Sequence, residues 1–141
     1  MFVDASAIVA VLKSEPESAG FLTALEATKG KVLTSPIARF EAVISLASQM
    51  ARSAGATAMT AEHHKTAEGL VADLLAEVGA SEIHITESIG KGARDAALAY
   101  GKLAGHVAQL NMGDCFAYAC AKAAHAQLLY KGDDFKHTDL G

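Results

Sequence analysis

Five acidic residues stand where they could do chemistry together. Asp4 directly follows the short apolar run Met1-Phe2-Val3. Glu41 lies in Arg39-Phe40-Glu41-Ala42, inside a helical pattern. Asp114 follows Asn111-Met112-Gly113 and opens a helix of mostly small residues. Asp133 and Asp134 follow the apolar run Gln127 to Tyr130. No Lys or Arg sits at a fixed spacing beside the set. Carboxylates sharing one pocket repel, and some take up protons unless a cation joins them. Carboxylate oxygens plus retained waters form the shell expected for Mg2+ or Mn2+. Such a cluster is the machinery of metal-assisted phosphodiester hydrolysis, in which the ions acidify a water, polarise phosphorus and steady the leaving oxygen. Each acid also has a plainer reading. Asp4 and Asp114 suit helix caps, Glu41 suits an edge glutamate with its head in water, and Asp133-Asp134 suits a polar turn.

Four short apolar runs must position these acids as strands: Met1 to Val3, Lys31 to Thr34, Glu82 to Thr86 and Gln127 to Tyr130. Helical patterns fill the gaps. They cover Ala5 to Ser14, Glu17 to Thr28, a helix opened by Ser35-Pro36 that runs to about Arg52, Thr57 or Thr60 to Gly79, Thr86 to Gly105, and Gly113 to Ala124. Ser35 is the expected N-cap and Pro36 the first-turn proline. At 100° per residue, Ile37, Phe40, Ile44 and Ala47 are the expected buried stripe of that helix, with Glu41 at its border. Strands separated by helical crossovers give an α/β fold with a central, mostly parallel twisted sheet and helices on both faces. Ligands of such sheets bind beyond the carboxyl ends of the strands. Asp4 and the Asp133-Asp134 pair fall at that edge.

The chain has 141 residues, 51% of them hydrophobic, enough for one domain spanning 1–141. Thirty of the 141 residues are alanine, so core volume must come from Leu, Ile, Val and Phe. The net charge of −4 excludes a strongly basic, non-specific nucleic-acid coat. No apolar run reaches the length of a membrane helix, and the N-terminus lacks the charge order of a signal peptide. A cytosolic protein with reduced, buried Cys115 and Cys120 is expected. A local RNA-binding rim could draw on Lys13, Arg39, Arg52, Lys91, Arg94, Lys102, Lys122 and Lys131. His63-His64 points in two directions on a helix and reads as a solvated face, and Asp95 beside Arg94 reads as a surface charge.

Four segments together resemble the VapC toxins among PIN-domain ribonucleases. They are Met1-Phe2-Val3-Asp4-Ala5-Ser6-Ala7, then Ser35-Pro36 with Arg39-Phe40-Glu41-Ala42, then Leu110 to Ala119, and finally Leu128 to Asp139. The similarity spans nearly the whole chain, least strongly from about Ser53 to Lys91. It implies a PIN-like fold and a Mg2+- or Mn2+-dependent endoribonuclease acting on structured RNA such as transfer or ribosomal RNA, with 5′-phosphate and 3′-hydroxyl products. It also implies a homodimer within a larger complex and inhibition by a VapB-type antitoxin. Residue by residue, Asp4 and Asp114 match the acids most directly tied to metal, and Glu41 matches the helical acid. Either Asp134 or Asp133 matches the fourth acid, and Ser6 a supporting hydroxyl. Asn111 lies in a matching segment without an assigned role.

Two other functions compete. An Asp-nucleophile phosphohydrolase would use Asp4 covalently, but that chemistry generally wants a second acid two residues on, where this chain has Ser6. A non-catalytic α/β protein-binding module would leave every acid as a cap or turn.

Overall fold

A computed structural model describes residues 1–141. Its elements run β1 (Phe2–Val3), α1 (Ala5–Leu12), α2 (Ser18–Ala27), β2 (Leu33–Thr34), α3 (Pro36–Ser53), α4 (Ala61–Glu77), β3 (Ser81–Glu82), α5 (Glu87–Tyr100), α6 (Met112–Ala123) and β4 (Leu128–Leu129). Single 3-10 turns follow α5 at Lys102–Ala104 and β4 at Asp134–His137. The sheet is wholly parallel in the order β3-β2-β1-β4, with Phe2 paired to Leu33 and to Leu128.

Period-two alternation divides the core between the two sheet faces. Val3 and Leu129 face a cluster built with Ile8, Leu25, Val43, Leu46, Val71 and Leu75, from α1 to α4. Phe2, Leu33 and Leu128 face the other cluster, with Ile89, Cys120 and Phe135, under α5 and α6. Helices therefore cover both faces. Small residues let α5 and α6 approach closely: a Cβ on Gly92 would lie 3.3 Å from that of Ala119.

The helices start where capping chemistry allows. Ser35 Oγ accepts from the Ala38 N–H, with Pro36 in the first turn. Thr60, not Thr57, caps α4, and His63 closes a capping box by accepting the Thr60 N–H on Nδ1. His63 thus supplies the reciprocal bond of the cap from an exposed first turn, with His64 exposed beside it. Thr86 caps α5, which ends at Tyr100 rather than Gly105.

Two expectations need correction. The third strand pairs at Ser81–Glu82, overlapping the expected run Glu82 to Thr86 only at Glu82, and Thr86 caps the next helix. The buried face of α3 consists of Ala38, Ala42, Val43, Leu46, Ala47 and Ala51. Of the expected stripe Ala47 is buried, Ile37 and Ile44 are half-buried and Phe40 is 64% exposed, because the inward face passes through Ala42, Val43 and Leu46 instead. Four other large exposed apolar residues fall between the last turn of α5 and the start of α6: Leu98 in α5, Leu103 and Val107 in the connection, and Met112 at the first position of α6. No helix is long and apolar enough to cross a membrane. Both cysteines are free and buried, and burial pushes the Cys120 thiol up to about 11.

Candidate active site

At the carboxyl ends of β1 and β4 lies an open hollow of about 720 Å³ lined by Asp4, Glu41, Asp114 and Asp134, together with Ser6 and Asn111. Each acid arrives by a different local device. Asp4 leaves β1 in extended conformation and caps α1, its Oδ2 accepting the Ser6 N–H (2.9 Å) and the Ser6 hydroxyl (2.6 Å). Ser6 Oγ in turn accepts the Lys131 backbone N–H at 3.0 Å, which ties the loop after β4 to the start of α1. Asp4 is therefore both a cap and a lining carboxylate.

Asn111, not Asp114, caps α6. Its Oδ1 accepts the Asp114 N–H, while Asp114 Oδ2 accepts the Asn111 N–H at 2.8 Å. The capping box fixes the Asp114 carboxylate in the first turn, where the helix dipole favours an anion. Gly132 adopts φ +103°, a region that side chains rarely enter, and reverses the chain so that Asp134 returns to the hollow. Asp133 does not line it. Its carboxylate points away and pairs with Lys136 three residues on, a fixed-spacing cation where none was expected.

Glu41 reaches the hollow from α3 and meets α6 at Gly113. A Cβ on Gly113 would overlap the Glu41 carboxylate. Gly113 and the backbone of Lys131 are thus part of the site's construction, although neither carries an acid. The signal for Gly113 was its position one residue before Asp114 in a first helical turn, where glycine is a poor helix former.

The electrostatics are those of unmet negative charge. Burial, then the neighbouring Asp4 and Asp114, lift Glu41 to about 7. Burial lifts Asp114 to about 6, opposed by the Asn111 N–H and reinforced by Asp4 and Asp134. Asp4 is also raised, by burial against the pull of its Ser6 hydrogen bonds, and Asp134 adds to the rise. Two cations line the hollow. Lys131 is engaged by Glu15 and Glu17, and Arg52 donates to Ser48. Such a set suits a hard divalent cation. No three of these groups converge tightly enough to chelate one ion unaided, so waters would complete its shell.

The rest of the expected basic rim is occupied elsewhere. Arg39 bridges Glu68 and Glu82, Lys13 meets Glu15, Lys122 meets Asp139, and Lys91 rather than Arg94 holds Asp95. Arg94 and Lys102 line a separate apolar groove between α5 and α6.

Residues 1–140 match the family model described as PIN domain. A VapC ribonuclease of Rhizobium meliloti is 44% identical over 140 residues, covering 99% of both chains. This chain belongs to the VapC family of PIN-domain proteins. The ribonucleases VapC30 and VapC36 of Mycobacterium tuberculosis extend the relationship, at 34% identity over 99% of this chain and 95% of the relative, and at 35% over 99% and 91%. The wholly parallel sheet flanked by helices agrees with membership of this family.

Proposed function

We propose that the chain is the toxin of a toxin–antitoxin pair, a Mg2+- or Mn2+-dependent endoribonuclease that cuts structured RNA such as transfer or ribosomal RNA in the cytoplasm. The observation that carries this reading is one hollow holding Asp4, Glu41, Asp114 and Asp134 with no cation committed to them. Names of the relatives support the reading, since those proteins are VapC ribonucleases.

Asp4 and Asp114 would hold the ion, with Asp134 beside them. When bound, a divalent ion acidifies water and offsets charge on the phosphate in flight. Ser6 keeps Asp4 oriented through its 2.6 Å hydrogen bond. Glu41, near neutrality at about 7, is suited to take a proton onto its carboxylate as water attacks phosphorus. In-line attack by water would form a new P–O bond and break the bond from phosphorus to the 3′ oxygen, which takes a proton from solvent, leaving a 5′-phosphate and a 3′-hydroxyl. Asp133 takes no part, being tied to Lys136 outside the hollow.

A VapB-type antitoxin is the proposed inhibitor. A homodimer within the larger complex is the proposed assembly, and exposed Leu98, Leu103, Val107 and Met112 give it an apolar surface. The test is cleavage of total RNA by purified, antitoxin-free chain. Activity is expected with Mg2+ or Mn2+ and is expected to vanish with EDTA or in Asp4→Asn. Intact RNA under every condition would favour a non-catalytic binding module.

A further inference from the structure

We infer that Arg52, oriented by Ser48, binds a phosphate of the RNA a few nucleotides from the bond that is cut, making the face of α3 a substrate track; the inference rests on the ribonuclease reading above. Glu41, Ser45, Ser48 and Arg52 all line the same hollow. Their spacings of four, three and four residues put them on one helical face, about 16 Å long from first to last. The track is acidic at Glu41 and basic at Arg52.

Its basic end is rich in unspent donors. Arg52 has no carboxylate within ion-pair distance, whereas Lys131, the hollow's other cation, is held by Glu15 and Glu17. Arg52 Nη1 donates to Ser48 Oγ at 3.0 Å. One of five guanidinium N–H groups is thereby used to aim the fork, and the remainder match the geometry of a phosphate. Ser48 accepts from Arg52, which leaves its own O–H to donate. Ser45 Oγ likewise accepts from Gln49 Nε2 at 3.0 Å. Donors at one end and cation-binding carboxylates at the other suit a polyanion lying along α3, one phosphate at the acids and another at Arg52.

A simpler role exists for Arg52. It sits in the last turn of α3, where a cation complements the helix dipole. That role would appear as lost stability, independent of substrate length.

The experiment compares the wild type, Arg52→Gln and Arg52→Lys on nested end-labelled oligoribonucleotides derived from a transfer RNA, in Mg2+ and at several salt concentrations. On long substrates Arg52→Gln is expected to raise KM about tenfold with kcat unchanged within twofold. Its salt slope should fall by about 0.7, the contribution of one single-strand phosphate contact. Arg52→Lys should recover part of the loss. On substrates too short to reach Arg52, all three proteins should perform alike. Unchanged KM and salt slope on long RNA would overturn the inference, as would equal losses on short and long RNA. Weakened antitoxin inhibition with unchanged RNA kinetics would assign Arg52 to the protein interface instead and also overturn it. A wild type that cuts no RNA in Mg2+ or Mn2+ would remove the ribonuclease reading itself. An active wild type matched by Arg52→Gln would remove only the track.

Discussion

The carboxylate of Glu41 occupies the space that a Cβ on Gly113 would fill. Two parts of the chain far apart in sequence therefore meet without an intervening side chain, and α6 can deliver Asp114 beside Glu41. Gly113→Ala is expected to push the Glu41 carboxylate aside, the flexible end of a side chain yielding more readily than backbone. Ribonuclease activity should drop at least tenfold. Stability should hold or rise slightly, because alanine favours a helix over glycine by up to about 1 kcal/mol. Cleavage assays and thermal melts on the same samples check this, and a fully active Gly113→Ala would show that the close approach has no role in the chemistry.

Stability of the metal-free protein should fall as pH rises from about 4 to about 7. Glu41 at about 7 and Asp114 at about 6 stand above the ordinary carboxylate range near 4. Between those limits the folded chain binds more protons than the unfolded chain, so raising pH favours unfolding. The groups are half-exposed, so the effect is on the order of 1–2 kcal/mol after solvent screening. Asp114→Asn should flatten this slope. It keeps an acceptor for the Asn111 N–H and relieves repulsion, so the metal-free variant should be as stable as the wild type or more so. A loss of several kcal/mol would mark Asp114 as chiefly a structural cap. Melts in EDTA across pH 4.5 to 8, an interval of about 3.5 units around these values, decide the matter.

The adjacent aspartates should separate cleanly. Asp134 lines the hollow, while Asp133 is exposed and paired with Lys136. Asp133→Asn is expected to cut RNA within about twofold of wild type, since an exposed pair of this kind contributes little. Asp134→Asn should lose most activity and require more Mg2+ to reach its maximum. Steady-state rates against Mg2+ concentration for both variants supply the comparison, and the reverse pattern would move the fourth acid to Asp133.

Much of this arrangement was legible in the residues, for reasons that also explain what was not. Asp4 could be placed because a two-residue apolar strand fixes where the chain must leave the sheet. Ser35-Pro36 announced α3 through capping chemistry. Glu41 is readable as a charge at an apolar border, but that border lies one residue step around the helix from where large-residue spacing puts it. The helix buries four alanines with Val43 and Leu46 and leaves Phe40 out, whereas hydrophobic spacing that weights the large residues draws Phe40 inward. The third strand was displaced for a related reason. Ser81–Glu82 is a polar edge pair beside β2, bonded through the Ser81 N–H to Val32 and closed by the Ile83 N–H on the Thr34 carbonyl, while the apolar side chains of Ile83 and Ile85 pack against the core. Gly113 against Glu41, and Lys131 against Ser6, are contacts made only by the folded chain, with no periodicity to announce them.

The most direct test is Mn2+ titration of the purified, antitoxin-free chain, monitored by electron paramagnetic resonance of the free ion. Saturable binding is predicted, competed by Mg2+ and weakened at least tenfold in Asp4→Asn and in Asp114→Asn, both still folded by circular dichroism. Wild type and both variants binding Mn2+ alike, or the wild type not binding it, would contradict the claim that these carboxylates form a divalent-cation site.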